Sequence, residues 1–146
     1  MSGEPGPKPA GTRPTVLVSN RQDEPFDAEG LAALAADVLA GEGRADVELS
    51  LSFVTEDEIA DLHVRYMDEP GPTDVLSFPL DEDGLLGDVV VCPAVAARNN
   101  PGDPAGELRL LVAHGILHLL GHDHEDAGER AVMWERQAWY SGVQAP

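Results

Sequence analysis

The 146-residue sequence predicts a single α/β (α+β) domain, with a small mixed sheet of about four strands packed against about five helices. Three observations support this prediction. Residues 45–54 alternate between apolar and polar side chains, as a half-buried strand does. Residues 73–92 contain two β-rich segments separated by Asp83 and Gly84, which is a hairpin signal. Residues 104–120 are apolar on nearly every face, so we expect a central, buried helix.

The chain begins with residues 1–14, which are rich in proline and glycine and lack apolar periodicity. We therefore predict a flexible tail there and one domain over residues 15–146. Residues 15–19 are apolar and largely β-branched, which favours a first strand. Asp27 is a suitable N-cap for a first helix that continues through Leu39, and Gly41 is expected just past its end.

A second helix is predicted after the alternating strand. Thr55 and Glu58 have the spacing of a capping box at its start. His63 lies within this helix and is expected to be a partly exposed helical residue, because metal ligands cluster and this histidine is isolated. The side chains expected to face inward from this helix are Ile59, Leu62 and Tyr66.

The predicted hairpin joins a strand over residues 73–78, which is expected to end at Pro79, to a partner strand over residues 85–92. A short helix is expected over residues 93–98. Asp103 is the predicted N-cap of the central helix, with Pro104 in its first turn. A last helix is predicted from Asp126 and Glu129 to about Tyr140, with Ala131, Trp134 and Ala138 packing inward.

Four of the five histidines lie within residues 114–124, which read HGILHLLGHDH. His114 and His118 are four residues apart, so on a helix they share one face at about 6 Å along the axis. Gly121 can adopt a positive φ, end the helix and allow His124 to return as a third ligand. Three histidine ligands leave a fourth coordination position open, as in catalytic zinc sites. The sequence thus predicts one Zn²⁺ on the central helix, and other divalent metals fit the same ligands.

The residue after the first histidine distinguishes this segment from the metzincin proteases. Metzincins share the histidine spacing but carry glutamate at that position as a general base, whereas this chain carries Gly115. Peptide hydrolysis by the usual mechanism therefore lacks its base. The glycine could make room for a substrate backbone or for close helix packing. Asp123 could replace the missing base, or it could hydrogen-bond a ligand histidine or cap a turn.

The histidine segment, together with PTDVLSFP at residues 72–79 and LGDVVV at residues 86–91, resembles the YbeY family. Members of this family are bacterial metal-dependent endoribonucleases implicated in rRNA maturation and ribosome quality control. The three motifs occur in the family's order, and the resemblance spans roughly residues 49–134. It implies a zinc-dependent, single-strand-specific endoribonuclease that processes the 16S rRNA 3′ end. It also implies rRNA, ribosomal subunits and ribosome-assembly proteins as partners.

The resemblance also implies particular site residues. His114 is expected to act through the metal, with attack by an activated water or by the RNA 2′-OH both open. Many members carry a Tyr-Arg pair that begins seven residues before the threonine of the TDVLSFP motif, and that arginine is linked to RNA cleavage, but here the pair is Tyr66-Met67. Arg65, which directly precedes Tyr66, is the candidate replacement. On a helix, however, each residue step turns the side chain by about 100°, so Arg65 points in a different direction. In the family the TDVLSFP strand borders the substrate cleft, and here the matching residues are Thr73, Asp74, Ser77 and Phe78.

The composition favours a globular, cytoplasmic protein but is unusual for an RNA-binding one. Nine Lys and Arg residues stand against 27 Asp and Glu residues, which gives a net charge of −18. RNA-binding proteins usually carry a basic surface, although a local positive cleft and a divalent metal would offset this deficit. The first residues lack the basic-then-apolar pattern of a signal peptide and no apolar run is long enough for a membrane span, so neither is expected. The single Cys92 cannot form an internal disulfide, which fits a reducing compartment. DNA is not an expected partner.

Two alternative functions remain open from the residues alone. A zinc hydrolase of peptides or small amides is favoured by the metzincin-like spacing and opposed by Gly115. A non-catalytic ribosome assembly factor with a structural metal is opposed by the lack of an evident fourth protein ligand, although His122 or a carboxylate could close the site.

Overall fold

The helices pack around a four-stranded sheet whose strand order is β1-β2-β4-β3. The computed structural model describes residues 13–69, 71, 73–82, 84–122 and 125–143. The elements in that part of the chain are β1 Thr15–Asn20, α1 Ala28–Gly41, β2 Glu48–Phe53, α2 Glu56–Met67, β3 Val75–Glu82, β4 Leu85–Val91, α3 Pro93–Asn99, α4 Pro104–Leu119 and α5 Ala127–Ser141.

The pairing of the strands makes the sheet mixed, as the sequence predicts. Strand β2 pairs in parallel with both β1 and β4, whereas β3 and β4 form an antiparallel hairpin. Strands β1 and β3 are therefore the two edges. The predicted fold class is confirmed, with four strands and five helices in the described residues.

Two apolar clusters form, one on each face of the sheet. On the first face, alternate side chains of β2 pack against α1, α4 and α5, and Leu49, Leu51 and Phe53 are fully buried there. On the second face, Ile59 of α2 packs against Val90 of β4. Because side chains alternate along each strand, adjacent residues of the same strand face different helices. Helices α2 and α4 thus lie on opposite faces of the sheet.

Helix α4 is the central helix that the apolar run predicts. The Asp103 carboxylate accepts a hydrogen bond from the Gly106 N–H at 3.0 Å, which confirms the predicted cap. Val112, Ile116 and Leu117 are fully buried between the sheet and the neighbouring helices. The histidine pair therefore lies on an element that packing holds rigidly.

The predicted ends of β3 and α1 differ from the structure, and β2 is shorter than the predicted residues 45–54. Strand β3 continues past Pro79 to Glu82, because an edge strand tolerates a residue without an N–H. Gly41 is the last residue of α1 instead of following it, and the positive φ occurs at Gly43. Of the predicted tail, residues 1–12 lie outside the described residues, and Pro14 is buried immediately before β1.

In two helices some of the residues predicted to face inward are exposed, although Ile59 of α2 is buried as predicted. Tyr66 is 60% exposed, since it lies in the last turn of α2 and contacts Phe78 only through a ring edge. In α5, Ala131 is exposed and Trp134 is 38% exposed. The buried residues of α5 are instead Met133, Gln137 and Ser141. Two of these three are polar, so a search for apolar periodicity selects the wrong face.

Candidate active site

His114 and His118 lie on consecutive turns of α4, where the sequence places them. Their ring centroids are 6.1 Å apart and the rings are inclined by 29°. His114 is half-buried and His118 is exposed, so the pair lies where the buried helix meets solvent. This position suits a site that must both hold a metal and admit a substrate.

Gln137 of α5 anchors the ring of His114. The His114 Nδ1 lies 3.0 Å from the Gln137 side-chain oxygen Oε1. An amide oxygen can only accept a hydrogen bond, so the contact places the proton on Nδ1. Gln137 is 4% exposed, which makes its position well defined by packing.

A backbone carbonyl oxygen holds the ring of His118 through the same nitrogen, Nδ1. Its Nδ1 lies 3.0 Å from the carbonyl oxygen of His122, which is also an acceptor only. When the rings are neutral, Nε2 is therefore the nitrogen that keeps the lone pair in both histidines. Histidine ligands of metals commonly donate their other ring N–H to such a partner, so this pair fits the donor set of a metal site.

The remaining members of the predicted triad region are only partly described. Gly121 has φ of +102°, which confirms the predicted turn directly after α4. Asp123 and His124 lie outside the described residues. Within the residues that are described, no three His, Cys, Asp or Glu side chains group together as metal ligands. The ligand set of His114, His118 and His124 thus stays a prediction.

His122 belongs to a hydrogen-bond network centred on Glu42, which follows α1. The Glu42 carboxylate lies 3.1 Å from His122 Nε2, 2.8 Å from Arg136 Nη1 and 2.7 Å from the Tyr140 hydroxyl. Its side chain is only 9% exposed. The network ties the turn after α4 to α1 and α5. Glu42 and His122 are 80 residues apart, so no local pattern in the sequence indicates their contact.

The network changes the acidity of two groups. Burial, the largest single influence, opposes ionisation of Glu42, but the hydrogen bonds from Tyr140 and His122 and the charge of Arg136 together outweigh it. The pKa of Glu42 consequently lies below its ordinary value. Burial, followed by the hydrogen bond to Glu42, raises the pKa of Tyr140 to about 12. Both shifts favour the pairing of an ionised Glu42 with a neutral Tyr140.

Replacing Glu42 by glutamine is expected to lower the free energy of unfolding by about 1–3 kcal/mol at neutral pH, because three hydrogen-bond partners lose an ionised acceptor that is itself largely buried. A carboxyl with a depressed pKa stabilises the fold above its unfolded pKa. The difference between wild type and variant should therefore shrink as the pH falls through the lower pKa of folded Glu42. Urea unfolding at pH 7 and pH 3 measures this difference.

Glu58→Gln is the matched control, since Glu58 pairs with Arg21 on an exposed surface. This substitution is expected to cost no more than about 1 kcal/mol at pH 7. An equal loss in the two variants would contradict a special role for the Glu42 network.

Gly115 faces the sheet, which resolves the two interpretations left open by the sequence. A Cβ at this position would lie 2.7 Å from Val89 Cγ1 and 3.3 Å from Ser77 Oγ. Val89 is fully buried in β4. In addition, the Ser77 hydroxyl donates to the Gly115 carbonyl at 3.0 Å. The glycine therefore permits close packing of α4 on the sheet.

The four predicted cleft residues lie in different environments. Ser77 faces α4, whereas Phe78 lies on the other face and meets Tyr66 edge-on at 5.4 Å between ring centroids. The Asp74 carboxylate accepts from Asn99 Nδ2 at 3.3 Å, and Thr73 is half-buried beside it in the chain. The structure thus brings Ser77 next to the histidine helix and does not bring Phe78 there.

Arg65 lies on α2, across the sheet from α4. Its guanidinium forms an ion pair with Asp61 of the same helix at 2.7 Å, and both side chains are more than half exposed. Met67, the position at which the family resemblance leads one to expect an arginine, is 43% exposed. Exposed pairs of this kind contribute about 0–1 kcal/mol, so Asp61 does not lock Arg65 in place.

Comparisons with known proteins agree with this fold and show the family of the chain. Residues 17–141 match the family described as Endoribonuclease YbeY. An Endoribonuclease YbeY of Thermobifida fusca is 48% identical, with 84% of this chain and 89% of that protein covered. One from Beutenbergia cavernae is 47% identical, with 82% and 90% covered. The solution structure of TM1509 from Thermotoga maritima matches with a TM-score of 0.61 and 31% identity, covering 87% of each chain. The chain therefore belongs to the Endoribonuclease YbeY family of hydrolases that act on phosphodiester bonds.

Proposed function

We propose that this family member is a zinc-dependent endoribonuclease that cleaves single-stranded regions of rRNA. Its role would be rRNA maturation, including the 16S rRNA 3′ end, and ribosome quality control in the cytoplasm together with ribosomal subunits. The observation that carries the metal dependence is the pair His114 and His118, whose Nδ1 atoms are both held by acceptors. None of the described helices combines the length and apolarity of a membrane span.

Three histidines would hold the metal: His114 and His118 from α4, and His124 after the turn at Gly121. Bound there, zinc would supply Lewis acidity at the scissile phosphate and activate the attacking oxygen. The chain itself contributes orientation. Packing of α4 against the sheet, reinforced by the hydrogen bond from Ser77 to the Gly115 carbonyl, holds the helical histidines in register. A site on a rigid element keeps its reactive groups preorganised.

Asp123 is the proposed proton acceptor near the histidines, and Arg65 is the proposed cation for the RNA. For Arg65, the exposed position and weak pairing with Asp61 leave the guanidinium able to bind a phosphate. Its position across the sheet from α4 means that the RNA would have to pass the edge strand β3. Substituting each residue separately, in the cleavage assay below, tests the two roles.

The peptidase alternative receives no support from the position of Gly115. A glutamate there would point toward Val89 in the sheet and away from solvent. The base that metzincins place after their first histidine therefore has no room in this fold.

The deciding experiment is cleavage of an rRNA fragment that contains paired and unpaired segments. Zinc-loaded protein is expected to cut the unpaired segments, and chelation followed by zinc restoration should abolish and then recover the activity. Zinc-loaded protein that leaves all unpaired segments intact would refute the proposed nuclease function. Cleavage that persists in the fully demetallated protein would refute zinc dependence alone.

RNA affinity is expected to depend only weakly on salt. Each phosphate neutralised by a single-stranded ligand contributes about −0.7 to the slope of log K against log salt, so we expect a slope shallower than about −2. Several other cations are already paired, because four described arginines besides Arg65 form ion pairs with carboxylates: Arg21, Arg44, Arg98 and Arg136. Fluorescence anisotropy with a single-stranded RNA at several salt concentrations measures the slope.

Glu56→Gln provides the comparison for this measurement, since it removes the carboxylate that pairs with Arg98. Its slope is expected to be steeper than that of the wild type. A wild-type slope steeper than about −4 would contradict the argument from charge.

A further inference from the structure

The contact between Gln137 and His114 joins the two helices that form the site. Gln137 lies between the buried residues Met133 and Ser141 on α5, and all three face the interior. A buried polar side chain is costly unless it is hydrogen-bonded. Here the amide oxygen accepts from His114 Nδ1, so the cost of burial is offset by a contact to a predicted metal ligand.

This contact has a chemical consequence for His114. A neutral imidazole carries one proton on either Nδ1 or Nε2, and the partner of one nitrogen determines which nitrogen keeps a lone pair. The Gln137 oxygen stabilises the Nδ1–H form, which leaves the lone pair on Nε2. His118 obtains the same tautomer from a backbone carbonyl, which no side-chain substitution can remove. For His114, by contrast, the anchor is a replaceable side chain.

We propose that Gln137 is a positioning residue that fixes the Nδ1–H tautomer and ring orientation of His114, so that Nε2 is offered to the metal. The proposal rests on the proposed function, because it takes His114 as a zinc ligand. Because the acceptor is a neutral amide, His114 is a less basic metal ligand than it would be with a carboxylate acceptor on Nδ1. Gln137 thus accounts for a polar residue within the buried face of α5.

Two substitutions of Gln137 separate the hydrogen bond from packing. Gln137→Met keeps a long side chain that fills the space but removes the acceptor, and it is expected to weaken zinc binding about 10- to 100-fold. Gln137→Glu retains an acceptor and is expected to bind zinc at least as tightly as the wild type. Competition with a chromophoric chelator measures the zinc affinity of each protein.

Met133→Leu is the matched control, since Met133 is fully buried one turn earlier on the same face of α5. It is expected to leave zinc affinity unchanged, and thermal unfolding confirms that all variants are folded. Gln137→Met with wild-type zinc affinity would overturn the proposal. An equal loss in the methionine and glutamate variants would also overturn it, because the effect would then follow packing alone.

The tautomer itself can be read without metal. In the metal-free protein, ¹⁵N NMR of the imidazole nitrogens is expected to show His114 protonated at Nδ1 in the wild type and in Gln137→Glu. In Gln137→Met the proton is expected to distribute over both nitrogens. An unchanged His114 tautomer in that variant would overturn the proposal. Failure of wild-type protein to bind zinc would refute the proposed metal site, while this NMR measurement would still decide the role of Gln137 toward His114.

Discussion

Replacing His114 by alanine is expected to abolish high-affinity zinc binding and RNA cleavage together. Loss of an outer partner of a metal ligand already costs about 10- to 100-fold, so loss of the ligand itself should exceed about 100-fold. The fold should remain, because His114 is only half-buried and lies on a helix whose apolar residues face the core. Zinc content, chelator competition and the initial rate of rRNA cleavage are the measurements.

His63→Ala is the control for this prediction. His63 lies on α2, where its Nδ1 contacts the Gly71 carbonyl at 2.9 Å, and it has no proposed role in the metal site. Its substitution is expected to leave zinc stoichiometry and cleavage unchanged. If His114→Ala bound zinc with wild-type affinity, the predicted ligand set would be wrong. If it bound no zinc but cleaved RNA normally, the metal would have no catalytic role.

Replacing Gly115 by glutamate is expected to destabilise the fold strongly and to create no peptidase. The new side chain would start 2.7 Å from Val89 Cγ1, and overpacking of a core costs about 1–3 kcal/mol. The carboxylate would also be buried without a partner, so the total cost should exceed about 3 kcal/mol. Urea unfolding measures the loss, and a casein digestion assay tests for peptidase activity.

Two glycine-to-alanine substitutions provide references for the expected loss of stability in Gly115→Glu. Gly115→Ala gains about 1 kcal/mol of helix propensity but still meets Val89, so a net loss of stability is expected. Gly128→Ala is the matched control, because Gly128 is an exposed helical glycine whose added Cβ would make only an ordinary contact, 3.5 Å from Asp126 Oδ1. It is expected to gain up to about 1 kcal/mol. A Gly115→Glu variant as stable as the wild type would contradict close packing of α4 on the sheet.

The amino-acid sequence determined those features that depend on neighbours along the chain. The alternating strand β2, although shorter than predicted, the cap at Asp103 and the turn at Gly121 all follow from the sequence, because each arises within a few residues. The histidine spacing likewise placed His114 and His118 on one face of α4 before any tertiary contact was known. Periodicity and capping are local physics, so one sequence is enough to predict them.

Tertiary structure alone decided which groups support the histidines. Gln137 and Glu42 are polar residues whose importance comes from partners 23 and 80 residues away, and no local pattern predicts such pairs. The role of Gly115 also depended on tertiary structure. Only its position against Val89 shows that the glycine allows α4 to pack closely on the sheet. The physical reason is common to all three cases. Hydrogen bonds and packing between elements depend on how helices and strands are placed in space, whereas local periodicity predicts only that those elements form.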